Sequence, residues 1–130
     1  MGTKGVMDLV AEAKEQLENL SPAEVAAEIE EDGIVLIDLR ERDELEGQGT
    51  IPGAIHAPRG MVEFYADASS PYHRDEFKPD ARIVLFCASG GRSALAGKAL
   101  KDLGFENVAH LDGGFKGWVA ASRPVVEVTS

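Results

Sequence analysis

Residues 83–93 read Ile83-Val84-Leu85-Phe86-Cys87-Ala88-Ser89-Gly90-Gly91-Arg92-Ser93, and this stretch decides the fold of the chain. Its four leading apolar residues predict a short strand that is buried on both faces. Apolar residues then recur at helical spacing from Leu95 to Leu103, and Gly104 ends that pattern. A buried strand, a glycine-containing loop and the start of a helix are therefore expected to meet around one cysteine.

Cys87 is the only cysteine of the chain, and its position taken together with the loop that follows favours a nucleophile. The first N–H groups of a helix lack partners within the helix and carry partial positive charge, which stabilises a thiolate. Gly90 and Gly91 let the backbone approach a ligand closely. Arg92 offers a fork of donors for oxyanions, and Ser93 offers a hydroxyl or caps the helix. The alternative is that the thiol is simply a small buried side chain.

Further apolar runs predict an α/β domain whose sheet is mainly parallel. Residues 34–37 are branched and apolar, residues 107–111 form another short run, and helical patterns lie between these runs. In such sheets the ligand binds outside the carboxyl ends of the strands. Because Asp38 and Cys87 each follow a predicted strand, we expect two loops at one edge of the sheet to build the site.

Before the first predicted strand, the sequence indicates two helices. Residues 6–19 carry apolar side chains at helical spacing with charges between them, which predicts an amphipathic helix that packs on the main body or on a partner. Ser21-Pro22-Ala23-Glu24 has the order of a capping box with proline at the first helical position. This motif starts the second helix, and Asp32-Gly33 ends it.

Composition limits the classes of function. The chain has 130 residues, which suits one domain, and its net charge of −10 argues against binding to nucleic acid or to anionic membranes. No apolar stretch is long enough for a membrane span, and the first twenty residues hold no secretory core. One cysteine excludes an internal disulfide, and three scattered histidines give no ligand spacing, so no metal or other cofactor is expected. A free thiol fits a cytoplasmic location.

Five motifs resemble those of single-domain rhodaneses, which belong to the rhodanese-like sulfurtransferase family. They are Ile37-Asp38-Leu39-Arg40, Ile51-Pro52-Gly53-Ala54-Ile55, the loop from Cys87 to Arg92, Asp112-Gly113-Gly114-Phe115 with Trp118, and Pro124-Val125. Each motif is a weak signal alone, and their common order makes the resemblance specific over most of the chain. Thr50 departs from the pattern, since histidine often precedes the Ile-Pro-Gly motif in the family.

The resemblance implies a rhodanese-like three-layer fold, with a mainly parallel five-stranded sheet flanked by helices. It assigns this domain to residues 21–130 and leaves residues 1–20 as an N-terminal helical extension, which could serve a homodimer. It further implies that Cys87 takes a sulfane sulfur from a small anionic donor such as thiosulfate and holds it as a persulfide. The acceptor would be an external thiol, cyanide or a sulfur-acceptor protein.

The resemblance also assigns roles to the residues around the thiol. The anion-binding loop would consist of Ala88, Ser89, Gly90, Gly91, Arg92 and Ser93. Asp38 and Arg40 would fix the neighbouring loop, whereas Arg59 is either a cation beside the substrate or a surface residue.

Two alternatives to sulfur transfer remain open at the level of sequence. Cysteine phosphatases and arsenate reductases use a similar loop, but phosphatases place five residues between cysteine and arginine. Here four residues separate Cys87 from Arg92, which predicts a smaller cradle. The second alternative is a non-catalytic binding module, which the presence of the cysteine with its glycines and arginine disfavours.

Overall fold

The computed structural model describes residues 2–129. Within them, the strands are Glu18–Leu20 (β1), Ile34–Asp38 (β2), Ile55–His56 (β3), Arg82–Phe86 (β4) and Val108–Leu111 (β5). The α-helices are Val6–Glu15 (α1), Pro22–Glu31 (α2), Arg42–Gln48 (α3), Val62–Ala66 (α4), Gly91–Asp102 (α5) and Gly114–Ala120 (α6), and a 3-10 turn at Arg59–Met61 precedes α4. No helix in this part of the chain is both long and apolar enough to cross a membrane.

The strands form one sheet in the order β1-β5-β4-β2-β3, and every neighbouring pair is parallel. Strand β4 lies in the middle and is buried on both faces, which explains its uninterrupted apolar sequence. One face packs against a cluster that includes Leu85 and Phe77, and the other against a cluster that includes Phe86 and Trp118. The predicted α/β fold with helices on both faces of a parallel sheet is confirmed.

The register of β2 and β4 brings their carboxyl ends together. Asp38 lies opposite Phe86, and the Leu39 N–H donates to the Phe86 carbonyl at 2.9 Å. The segments that follow the two strands, which begin at Leu39 and Cys87, therefore start side by side at one edge, as the sequence predicted.

The N-terminal segment differs from the predicted helix over residues 6–19. Helix α1 ends at Glu15, and the side-chain amide of Asn19 donates to the carbonyls of Lys14 and Leu17 at 3.0 Å each. Residues 18–20 then form β1, an edge strand that pairs with β5. Three residues of the predicted extension thus belong to the sheet, because an extended backbone gains partners there that another helical turn would not provide.

Helix α1 packs on the body of the protein. Val10 and Ala13 are buried against Ala94 of α5, whereas Val6, Met7 and Leu9 stay exposed. The first of the two packing options that the sequence left open is therefore the observed one, and a homodimer remains a prediction.

The predicted capping box at the start of α2 is confirmed. The Ser21 hydroxyl accepts the Glu24 N–H at 3.1 Å, and the Glu24 carboxylate accepts the Ser21 N–H at 2.9 Å. Asp32 ends the helix in the left-handed conformation, with φ of 57°. Both ends of α2 are therefore specified by local sequence.

Candidate active site

Cys87 follows β4 directly, and its sulfur faces the start of α5. The Gly90 N–H donates to Sγ at 3.1 Å and the Ser93 N–H donates to it at 3.4 Å. Gly90 is the N-cap of α5 with φ of 108°, a conformation that favours glycine. Because unpaired amides at a helix start favour an anion, this geometry suits a thiolate sulfur. Ser93 lies inside the first turn, so the expectation that it could cap α5 is wrong.

The cysteine loop rests on the start of α6. The Phe115 N–H donates to the Cys87 carbonyl at 2.8 Å, and the Lys116 N–H donates to the Ala88 carbonyl at 3.0 Å. A Cβ added at Gly114 would lie 2.6 Å from both of these carbonyl oxygens, and Gly114 has φ of 61°. Glycine is therefore required here, which gives a physical reason for the Gly113-Gly114 motif.

Arg92 lies at the rim of the loop in a bidentate ion pair with Glu44 of α3. Its two terminal nitrogens donate to the two carboxylate oxygens at 2.7 and 3.0 Å. These bonds hold the pKa of Glu44 at about 2, and they raise the pKa of Arg92, to which the charge of the Cys87 sulfur adds a smaller contribution. The sequence predicted an arginine suited to oxyanions, and the structure shows that its guanidinium also pairs with a carboxylate.

Behind the sulfur, a chain of hydrogen bonds runs from Ser93 to His110 and Asn19. The Ser93 hydroxyl is 3.6 Å from the Cys87 Sγ and 2.8 Å from His110 Nδ1, and His110 Nε2 is 2.7 Å from Asn19 Oδ1. Because the Asn19 amide already donates to two backbone carbonyls, its oxygen must accept from Nε2. Nδ1 is then an acceptor, and the Ser93 hydroxyl donates to it.

Because the Ser93 hydroxyl gives its hydrogen to His110, it can accept an S–H from Cys87 but cannot donate to the thiolate, which relies on the backbone N–H groups instead. His110 itself is buried, and burial lowers its pKa to about 4, so the ring is neutral near pH 7. Sequence reasoning found no histidine paired with the cysteine, and indeed the contact is indirect. A single histidine inside the apolar strand β5 was the available signal.

A second ion pair lies beside the loop. Lys14 of α1 donates to Asp112 Oδ1 at 2.9 Å, and this bond lowers the pKa of Asp112. An ideal Cβ built on Gly90 would lie 3.9 Å from the same carboxylate oxygen. The Asp112 carboxylate therefore lies close to the turn that holds the sulfur, and Lys14 of the N-terminal segment is bound to it.

Asp38 and Arg40 form a buried ion pair at the end of β2. The Asp38 carboxylate accepts from the Arg40 backbone N–H and from two of its guanidinium nitrogens at 2.8–3.1 Å, and also from the Thr50 hydroxyl at 2.7 Å. The guanidinium carbon lies 4.1 Å from the centre of the Phe115 ring. Since the Phe115 N–H also donates to the Cys87 carbonyl, this network is connected to the cysteine loop, and the role of both residues in fixing the loop stays a prediction.

Arg59 occupies the 3-10 turn before α4. Its guanidinium donates to Glu63 at 2.7 Å, four residues further along the chain. The side chain is partly exposed and already shares its charge with a carboxylate, and its role as substrate-side cation or surface residue stays a prediction.

The fold and the site define a class of protein: a parallel α/β domain that presents one cysteine at a helix start. A family model described as Rhodanese-like domain matches residues 21–121. A sulfurtransferase from Allochromatium vinosum is 31% identical over 93 residues, which are 72% of this chain and 78% of that protein. The chain belongs to the rhodanese-like sulfurtransferase family.

Two solved structures are similar over nearly the whole chain. A protein of unknown function from Rhodopseudomonas palustris, described as a possible tyrosine phosphatase, is 38% identical with a TM-score of 0.91, and the match covers 97% of each chain. The polysulfide-sulfur transferase homodimer from Wolinella succinogenes is 30% identical with a TM-score of 0.74, over 94% of this chain and 87% of that one. Both matches include the N-terminal segment as well as the family domain.

Proposed function

We propose that this protein moves a sulfane sulfur from a donor such as thiosulfate to a nucleophilic acceptor through a persulfide on Cys87. The observation that carries the proposal is the sulfur atom of Cys87, which accepts two backbone N–H groups at the start of α5. Such a position favours an anionic sulfur, both as the attacking thiolate and as the persulfide that follows. Family membership supports the same chemistry.

In the first step the Cys87 thiolate attacks the outer sulfur of thiosulfate. A sulfur–sulfur bond forms to Cys87, the bond between the outer sulfur and the sulfonate group breaks, and sulfite leaves with the electron pair. The loop N–H groups and the Arg92 guanidinium would stabilise the negative charge of the donor oxygens and of the new persulfide. Because these donors are fixed by α5, they need little reorganisation during the reaction.

In the second step an external nucleophile attacks the outer sulfur of the persulfide. With cyanide the products are thiocyanate and the regenerated thiolate, so two half-reactions make one turnover. Cys87 is the only thiol in the sequence, and no second cysteine can relay the sulfur within the chain. The acceptor is therefore a small thiol, cyanide or a partner protein.

A phosphatase reading is the second candidate, since one solved relative is described as a possible tyrosine phosphatase. Two features disfavour it. Only four residues separate Cys87 from Arg92, and the Arg92 guanidinium is paired with Glu44 rather than turned wholly toward the loop. A tetrahedral phosphate needs both a wider loop and a free guanidinium fork.

Steady-state kinetics with thiosulfate and cyanide test the proposal. We expect thiocyanate release with parallel double-reciprocal lines, which is the pattern of a ping-pong reaction, and no release from Cys87→Ser. Hydrolysis of an aryl phosphate serves as the counter-assay. Robust phosphate release that disappears in Cys87→Ser would favour the phosphatase, and absence of both activities would favour a binding module or another donor.

The chemistry of the thiol also bears on where the protein works. A free thiol used as a nucleophile needs a reducing environment, which favours a cytoplasmic location. The division into residues 1–20 and 21–130 stays a prediction, and so does a homodimer.

A further inference from the structure

The Glu44–Arg92 ion pair bears on the charge of the sulfur donor. Arg92 is the cation of the cysteine loop and directly precedes Ser93, whose backbone N–H donates to the Cys87 Sγ at 3.4 Å. Both of its terminal nitrogens already bind the Glu44 carboxylate, at 2.7 and 3.0 Å. An incoming anion at the loop therefore meets a guanidinium whose charge is already balanced.

Glu44 is held in place by a third hydrogen bond. Its Oε1 also accepts the backbone N–H of Glu41 at 3.0 Å, as part of the capping box that starts α3. Three donors thus fix the carboxylate, and its pKa of about 2 keeps it ionised throughout the neutral range. The side chain is about a quarter exposed and cannot turn away without losing its cap.

A second cation near the loop is also bound to a carboxylate. Lys14 approaches the loop but is bound to Asp112, whose carboxylate lies near Gly90. Each of these two cations is thus matched by a carboxylate, on a chain whose net charge is −10. The backbone N–H groups that donate to the sulfur supply further positive potential, and each added negative charge on the donor also meets the repulsion of these carboxylates.

We propose that Glu44 is a specificity-determining residue that makes the site favour sulfane donors with one negative charge over dianionic thiosulfate. The favoured class comprises thiosulfonates (R–SO2–S⁻), in which a carbon substituent replaces one charged oxygen, and persulfides (R–S–S⁻), in which an R–S group replaces the sulfonate. This inference rests on the proposed persulfide chemistry and adds the charge of the donor to it. In each case the Cys87 thiolate bonds to the terminal sulfur and the donor's sulfur–sulfur bond breaks. A sulfinate leaves a thiosulfonate with the electron pair, and a thiolate leaves a persulfide in the same way.

Thiosulfate and methanethiosulfonate are a matched pair of donors for the test. Both present a terminal sulfur bound to an oxidised sulfur, and they differ by one unit of charge. An unscreened carboxylate about 6 Å from a donor charge in a water-like medium lowers binding roughly threefold per charge. Replacing Glu44 by glutamine should then raise kcat/KM about threefold for methanethiosulfonate and about tenfold for thiosulfate, with thiocyanate release as the readout.

The ratio of the two kcat/KM values is the decisive quantity, since a general change in folding or in Cys87 affects both donors alike. Glu44→Gln should raise the thiosulfate-to-methanethiosulfonate ratio about threefold, and added salt should shrink this gain. Asp112→Asn, on the other side of the loop, should change the ratio in the same direction. Glu46→Gln is the control: it removes the same charge from α3, where the exposed Glu46 pairs with Arg42, and should leave the ratio unchanged.

This experiment gives different results if Glu44 does not set the donor charge and if Cys87 does not transfer sulfur at all. Sulfur transfer from either donor with an unchanged or lowered ratio in Glu44→Gln would overturn the role of Glu44 and leave the persulfide chemistry standing. A lowered ratio would show that the carboxylate serves to hold Arg92 against the donor. Absence of transfer from both donors in the native protein would overturn the proposed function and this inference with it.

Discussion

Replacing Asp38 by alanine tests the buried network beneath the cysteine loop. Asp38 and Arg40 have no exposed surface, and the Asp38 carboxylate accepts four hydrogen bonds, three from Arg40 and one from Thr50. The substitution removes all four and leaves a buried guanidinium with Gln48 and the Gly49 carbonyl as its remaining partners. An uncompensated buried charge costs far more than the net value of the pair.

The expected loss of stability follows from this burial. Removing one partner of a buried ion pair costs about 3–5 kcal/mol. At about 2.1 cal/mol/K per residue, the unfolding entropy of 130 residues is roughly 0.27 kcal/mol/K, so the melting temperature should fall by about 11–18 °C. This loss is a large fraction of the roughly 5–15 kcal/mol that stabilises a typical domain.

Thermal unfolding followed by circular dichroism measures this loss. Asp75→Ala is the matched control, because Asp75 is fully exposed and its removal should change stability by less than about 0.5 kcal/mol. The double variant Asp38→Ala with Arg40→Met should recover part of the loss, since it removes the unpaired charge as well. A fall of less than about 4 °C in Asp38→Ala, or a double variant less stable than the single one, would refute the reasoning.

Three further predictions concern the loop and its supports. Gly114→Ala should destabilise the fold by about 2–4 kcal/mol and lower sulfur transfer, because the new methyl group meets the Cys87 and Ala88 carbonyls at 2.6 Å. Chemical denaturation measures the loss of stability, and thiocyanate release measures the loss of activity. Unchanged activity would count against the contact. The pKa of His110 is lowered to about 4, so its contribution to stability is present above about pH 6.5 and is lost as the pH falls through about 4. In urea titrations between pH 7 and 4.5, the native protein should therefore lose about 2 kcal/mol more stability than His110→Asn. Equal losses in the two proteins would contradict the burial argument. Arg92→Ala should lower kcat/KM for thiosulfate at least tenfold with little change in melting temperature, since it removes the loop cation and leaves the Glu44 carboxylate unpaired. An unchanged kcat/KM would exclude a role of Arg92 in donor binding.

The central part of the fold was accessible from sequence because its signals are local. Strand β4 is an uninterrupted apolar run, α5 has a long helical pattern, and the capping box at Ser21 is complete within four residues. In each case the residues that form the element also carry its pattern. The parallel pairing of β2 and β4 was expected in the same way, from apolar strands that alternate with helices.

Strand β1 was missed because its cause is not local. It has three residues with a single buried side chain, Leu20, which also continues the helical spacing of the preceding segment. What makes these residues a strand is the free edge of β5, about 90 positions away, where Glu18 lies opposite Ala109. A short edge strand of this kind has too little sequence for its period to show.

Sequence reasoning missed one contact of the site because, as for β1, the contact joins residues that are far apart in the sequence. Cys87 and Asp38 were expected at the carboxyl ends of their strands, and the structure puts them there, whereas Arg40 was singled out by the family resemblance. The partner of Arg92 was not, because Glu44 lies 48 residues away among several other carboxylates that read as solvated surface. Only its contact with Arg92 in the folded chain distinguishes it from its neighbours.

The mass of the intact protein before and after incubation with thiosulfate tests the central claim most directly. Since Cys87 is the only thiol, a persulfide intermediate must add one sulfur atom to the chain, and cyanide must then remove it with release of thiocyanate. Cys87→Ser, which keeps nearly the same side-chain size, should fold, gain no mass and release no thiocyanate. Thiosulfate turnover without any gain in mass, or full turnover by Cys87→Ser, would contradict the persulfide mechanism.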